Sequence, residues 1–265
     1  MPGITVPDIV RMKADGRRIV MVTAYDYAFA RLADEAGVDV VLVGDSLGMV
    51  VQGHSTTLPV TVDQMVYHTT IVRRGVEKAL VVGDMPFLSY QANRDDAVWN
   101  AGRFLKEAGA AAVKLEGGVA ISDTIASMVK ADIPVMGHVG LRPQAVHAMG
   151  GYKVQGRGLD AQRVLDDALA VEAAGAFSIV LEGVPAELAA RITGALKIPT
   201  IGIGAGSDCD GQVLVMHDML GLFDRPSPKF SKRYADLGAA TIEAFRRYGD
   251  EVRSGKFPGD EHTIA

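Results

Sequence analysis

The sequence has one cysteine, Cys209, one tryptophan, and aromatic residues at only 6% of its 265 positions. A lone cysteine forms no internal disulfide and supplies no paired-thiolate metal site; it fits a reducing compartment. Excess positive charge is missing too. The formal net charge is −5, so no long-range field draws nucleic acid or an anionic membrane. No apolar run approaches the ~18 residues that cross a bilayer, and the opening residues lack the basic start and apolar stretch of a secretory leader. A soluble, cytoplasmic protein is the expectation, with neither nucleic acid nor membrane as partner. Apolar residues are plentiful at 48%, ample for a packed core, and glycine is high at 30.

Repetition organises the chain. Ala36–Ser46, Ala108–Gly118 and Ala174–Val184 each read Ala-Gly, a short apolar run, then an acidic residue at its far end. Ile133–Gly137 and Ile198–Gly202 form a second, interleaved pair. Alternating families with a unit of ~33 residues read as successive βα units. Eight short, β-branched runs are expected as strands buried on both faces: Ile19–Ala24, Val38–Val43, Leu80–Asp84, Ala111–Leu115, Pro134–Val139, Ser178–Leu181, Pro199–Gly202 and Gln212–Met216. Helices lie between them. Thr61 and Gln64 form a capping box, Asn93 caps Arg94–Ala108, and Asp160 caps Ala161–Ala174, the last two stopped by Gly109 and Gly175. Pro143 and Pro185 suit first helical turns. The economical fold is one α/β domain over residues 1–265, a (β/α)₈ TIM barrel with a helix at Val6–Ala14 closing its bottom and a polar tail over about 250–265. A doubly wound open sheet is the alternative.

In such barrels the chemistry lies at the C-terminal strand tips. Those tips carry Asp45, Asp84, Glu116 and Glu182, with His138 in the fifth run. Any one of these carboxylates has an ordinary alternative as a helix cap or loop ion pair. As a set they repel one another, and a bound cation relieves that repulsion. With oxygen ligands only, a hard ion such as Mg²⁺ is favoured over zinc, with Mn²⁺ tolerated. Lys114 stands two residues before Glu116 and leaves the strand on the same face. It either meets a substrate carboxylate or enolate, or pairs with one of the same acids. Gly202–Gly206 occupies the usual phosphate-loop position of a barrel, where a plain tight turn is an equal alternative. His54, His68, His147 and His217 lack metal spacing, and Cys209 has no supporting histidine pattern.

The stretches Gly44–Met49, Gly53–Thr57, Val113–Gly117, Gly137–Leu141, Gly150–Arg157, Gly202–Gly206, Asp210–Val215 and Pro228–Phe230 resemble the ketopantoate hydroxymethyltransferase family. The matches run in order along nearly the whole chain. Two departures are Gly183, where cysteine often follows the glutamate, and the final Thr-Ile-Ala. The resemblance implies a Mg²⁺-dependent enzyme of pantothenate and coenzyme A biosynthesis. It would move a one-carbon unit from 5,10-methylenetetrahydrofolate to 3-methyl-2-oxobutanoate, giving 2-dehydropantoate, and assemble as a homodecamer of two five-membered rings. It also implies metal ligands at Asp45, Asp84 and Glu116, and substrate contacts at Asp45, Ser46, Asp84 and Lys114. Glu182 would be the general base, with His138 and Lys114 in the catalytic set. Within the broader barrel group the competitor is a lyase or mutase of the isocitrate-lyase and phosphoenolpyruvate-mutase type. Those place a cysteine in a basic active-site loop, which this chain lacks. A catalytically silent binding barrel would leave the acidic cluster unexplained.

Overall fold

A computed structural model describes residues 3–223 and 228–264. They fall into two compact units, Met1–Val215 and Met216–Ala265. The first begins with α1 (Val6–Ala14), then runs β1 (Ile19–Thr23), α2 (Tyr27–Glu35), β2 (Val40–Val43), α3 (Leu47–Val50), α4 (Val62–Gly75) and β3 (Leu80–Asp84). It continues through α5 (Arg94–Lys106), β4 (Ala112–Glu116), α6 (Ser122–Lys130), β5 (Val135–Gly140), α7 (Asp160–Ala173), β6 (Ser178–Glu182), α8 (Ala186–Ala195), β7 (Thr200–Ile203) and β8 (Gly211–Leu214). Every strand pairs in parallel with its neighbours, and β1 pairs with β8 as well as β2. That last pairing closes the barrel and excludes the open sheet.

The inward side chains obey the two-residue strand period. Ile19 and Met21 of β1, Val40 and Leu42 of β2, Leu80 and Val82 of β3, Ala112 of β4 and Met136 of β5 share one core with Val180, Ile201 and Val213. Continuing the same phase toward the C-terminal ends brings Asp84, Lys114, Glu116, His138 and Glu182 to the top of that core. Ile9 and Met12 of α1 join the core from below, each stabilising by about 1.5–3 kcal/mol through burial. Helix α1 starts on a reciprocal cap between Thr5 and Asp8. Its Lys13 is fastened to the barrel floor by Asp210 at 2.8 Å and by the Thr193 carbonyl at 2.8 Å. On the barrel wall Asp34, at the end of α2, accepts the backbone N–H groups of Glu77, Lys78 and Ala79 at 3.1, 2.9 and 2.7 Å. It thereby ties α2 to the turn that feeds β3.

Some local expectations shift. Thr61 and Asn93 cap α4 and α5 as expected. Asp160 does not cap α7 but is its first residue, because its carboxylate is taken by Arg163 and the Gly156 N–H. Pro143 opens only a 3₁₀ turn, Pro143–Ala145, and Pro185 stands one residue ahead of α8. Several strands begin or end one or two residues from the expected limits, as boundaries set by neighbouring ladders do. Gly183 adopts φ +56°, a left-handed conformation that a side chain disfavours, so glycine suits this strand-tip turn.

The second unit holds α9 (Met216–Met219), α10 (Leu237–Arg253) and a 3₁₀ turn, Asp260–His262. Residues 250–253, expected in a polar tail, continue α10, whose described residues are all at least partly exposed. Among the described residues no helix is long and apolar enough to cross a membrane.

Candidate active site

The acidic residues that the sequence assigns to the strand tips lie there, and Lys114 and His138 stand two residues before the ends of β4 and β5. Asp84, Glu116 and Glu182 are the last residues of β3, β4 and β6, while Asp45 and Ser46 follow β2. Strand register sets their order. Asp84 is level with Lys114, Glu116 with His138, and Glu182 with Gly140.

The side chains form a polar chain across the mouth. Lys114 Nζ lies 2.8 Å from Asp84 Oδ1 and 3.2 Å from His138 Nδ1. His138 Nε2 lies 3.2 Å from Glu182 Oε2, and Glu116 Oε1 stands 3.8 Å from His138 Nδ1. Asp84 Oδ2 also accepts the Asp45 backbone N–H at 3.1 Å. Asp45, Asp84, Lys114, Glu116 and His138 are all buried, whereas the Glu182 side chain keeps 15% of its surface open at the rim. Of the two readings of Lys114, the structure shows the ion pair directly, with Asp84.

An ammonium only donates, so His138 Nδ1, facing Lys114, must accept. The ring proton is therefore on Nε2, beside Glu182. Burial, reinforced by the Lys114 charge, holds the imidazole below its usual pKa, so it is neutral near pH 7. Burial alone would lower Lys114, but Asp84, Glu116 and Asp45 more than offset this and keep it protonated. The carboxylates carry the opposite strain. Burial and the nearby Asp84 charge push Asp45 up to about 7, and burial with Asp45 raises Glu116 well above its usual range.

One ammonium thus faces four carboxyl groups in a largely buried mouth. Among the described residues no three His, Cys, Asp or Glu side chains form a ready ligand shell. The fit of a divalent cation therefore rests on uncompensated negative charge and an all-oxygen donor set, which suit a hard ion. Asp45 and Asp84, already joined through a backbone bond, are the first candidates to hold it, with Glu116 adjoining.

The sequence reading missed the uncharged partners. Gln144, buried in the turn after β5, donates from Nε2 to Asp45 Oδ2 and to the Met85 carbonyl, both at 2.9 Å. Its backbone N–H reaches Glu116 Oε2 at 3.1 Å. Tyr90 Oη lies 2.8 Å from Gln144 Oε1 and 3.0 Å from the Glu116 backbone nitrogen. Tyr25 Oη lies 2.9 Å from Ser46 Oγ, and the buried Thr57 stands beside Asp45. The weaker candidates separate from the site. His54 and His147 are exposed, His68 bonds the Tyr25 carbonyl, and burial raises the Cys209 thiol away from the reactive thiolate form. In the Gly202–Gly206 loop, the Gly206 carbonyl accepts from Gln212, as in a plain turn.

Residues 3–260 match the family model described as ketopantoate hydroxymethyltransferase. A 3-methyl-2-oxobutanoate hydroxymethyltransferase of Pelobacter propionicus is 60% identical over 261 residues, covering 98% of this chain and 97% of the relative. The one from Trichlorobacter lovleyi is 59% identical over 262 residues, covering 99% and 98%. Among solved structures, phosphonopyruvate hydrolase with oxalate and Mg²⁺ superposes with TM-score 0.64 at 15% identity, over 98% of this chain and 93% of that one. A 2,3-dimethylmalate lyase of the PEP mutase/isocitrate lyase superfamily gives 0.63 at 18% identity, over 99% and 93%. At that identity these two structures speak to the barrel fold alone.

Proposed function

The chain belongs to the ketopantoate hydroxymethyltransferase family, and on that premise we propose that it transfers a hydroxymethyl unit from 5,10-methylenetetrahydrofolate to 3-methyl-2-oxobutanoate. The product is 2-dehydropantoate, on the route to pantothenate and coenzyme A. The observation that carries the reading is the chain Asp84–Lys114–His138–Glu182, which sets a fixed cation and a rim carboxylate on either side of a neutral imidazole.

A 2-oxo acid brings a carboxylate and a ketone oxygen. Asp45 and Asp84, with Glu116, would hold a divalent cation, Mg²⁺ or Mn²⁺. When bound, that ion supplies a Lewis acid that withdraws charge from the ketone. The buried Lys114 ammonium balances substrate charge, including that which grows as C3 loses its proton. Ser46, its hydroxyl oriented by Tyr25, adds a substrate contact. Glu182 takes the C3 proton, and His138 Nε2, 3.2 Å from Glu182 Oε2, positions the glutamate at the rim. The C3 carbanion equivalent then forms a bond to the methylene carbon of the folate. Water supplies the hydroxyl oxygen, both carbon–nitrogen bonds that hold the methylene carbon to the folate break, and the two folate nitrogens take up one proton from C3 and one from water.

Burial of the reacting groups under the rim limits water around the enolate. A cytoplasmic location and assembly into a homodecamer belong to the same proposal. Self-association is supported by large apolar side chains left exposed, among them Trp99, Leu88 and Phe245; light scattering tests it. The test of the reaction is exchange of the C3 hydrogen with solvent deuterium, followed by NMR, then turnover with methylenetetrahydrofolate. Exchange in the wild type and its loss in Glu182→Gln are expected. Absence of exchange and turnover in the wild type would refute the reading.

A further inference from the structure

Gln144 has every hydrogen-bonding capacity of its side chain engaged. Nε2 donates to Asp45 Oδ2 and to the Met85 carbonyl. Oε1 faces Tyr90 Oη at 2.8 Å and receives Gln91 Nε2 at 3.1 Å. The Met85 carbonyl can only accept, so the amide has one permitted orientation. Its nitrogen must face Met85, and the same nitrogen must then present its second hydrogen to Asp45. The backbone N–H of Gln144 meanwhile holds Glu116 Oε2, and Tyr90 Oη accepts the Glu116 N–H while its one proton is shared between Gln144 Oε1 at 2.8 Å and the Glu116 carbonyl at 3.0 Å. Gln144 therefore joins the tips of β2 and β4, bonding Asp45 through its side chain and Glu116 through its backbone. A buried polar network satisfied in this way holds its members in one geometry.

We propose that Gln144 is a positioning residue for the divalent cation, its amide occupying Asp45 Oδ2 so that Oδ1 is the oxygen offered to the ion, while its backbone fixes Glu116 alongside. The inference deepens the functional reading above and rests on its cation. Gln144 need not touch substrate. It determines which carboxylate oxygens are available and how far apart they stand, the part that partners of metal ligands play elsewhere.

The experiment uses full-length protein without substrate and Mn²⁺ as the probe, with free Mn²⁺ counted by electron paramagnetic resonance. Gln144→Met keeps the length of the side chain and removes its amide. Losing such a partner typically weakens metal binding about 10–100-fold, and a fall in that range is expected. Turnover should recover partly as Mn²⁺ is raised, with the apparent KM for metal rising more than kcat falls. Tyr90→Phe, which leaves the amide in place but loosens it, should weaken binding in the same direction and by less. A folded Gln144→Met protein that binds Mn²⁺ within twofold of the wild type overturns the inference, as does tighter binding by Tyr90→Phe. No Mn²⁺ binding by the wild type overturns the cation reading itself and this inference with it.

Discussion

Lys114→Met removes the one ammonium at the centre of the mouth while keeping an unbranched side chain of similar reach. The Lys114 and Asp84 side chains are only 5% and 3% exposed and stand 2.8 Å apart. Truncating one partner of a buried pair leaves the other charge stranded, at a cost of about 3–5 kcal/mol. For a chain of this size each kcal/mol moves Tm by roughly 2–4 °C, so a fall of about 6–20 °C is expected. Affinity for the 2-oxo acid should drop as well, because substrate charge loses its counterion. If Asp45 and Asp84 hold a divalent ion, added Mg²⁺ should raise the Tm of the variant more than that of the wild type, since it restores positive charge to the same place. Lys114→Arg should rescue poorly, as a planar guanidinium does not fill the site of a compact ammonium. Differential scanning calorimetry with and without Mg²⁺, alongside substrate titration, measures all of this. A Tm within about 2 °C of the wild type would refute the argument, because it would mean that the pair is solvated and not buried.

Glu182→Gln should lower the rate of C3 hydrogen–deuterium exchange about 10²–10⁴-fold with folding and substrate binding retained; near-normal exchange would turn attention to His138. Asp84→Ala should abolish both activity and divalent-ion binding in a folded protein, and calorimetry showing unchanged Mg²⁺ affinity would remove Asp84 from the ligand set. Asp34 bears on pH. Burial alone would raise its carboxyl, but the N–H groups of Ala79, Lys78 and Glu77 hold it below the usual value. Its contribution is therefore complete above the unfolded-state pKa of about 3.9 and disappears as pH falls through the lower folded value. Asp34→Ala should cost about 2–3 kcal/mol near neutrality, and the gap in Tm from the wild type should narrow only in strong acid. A gap that closes already near pH 6 would contradict the assignment.

The barrel was legible because its strands are apolar on both faces and the repeats restate one βα unit along the chain. The phase of each strand was legible for the same reason. Lys114 and Glu116, two apart on β4, must share a face, and that face proved to be the mouth. What the spacing could not decide was whom Lys114 meets, since Asp84 is brought opposite it only by the β3–β4 register. Gln144 stayed hidden for a different reason. An amide has no charge to announce a role, and its partners Asp45, Met85 and Tyr90 lie far away in sequence. Asp160 misled because a carboxylate ahead of a helical pattern has the signature of a cap, while Arg163 one turn later competes for it.

The pairing of Ile19 with Gly211 along β1 and β8 also sets a timetable. On a ribosome working at about 5–20 residues per second, β1 waits roughly ten seconds or longer for its second partner to be made. Every acidic residue of the mouth, Glu182 included, has been synthesised by then. Until the final staves arrive the cask is open, and those carboxylates can remain hydrated. The electrostatic cost of drying them is deferred to the closing step, when the apolar interior seals at the same moment and can offset it. A nascent chain arrested before β8 should therefore carry a solvated acidic cluster on an unsealed sheet, vulnerable to proteases in a way that the finished cylinder is not.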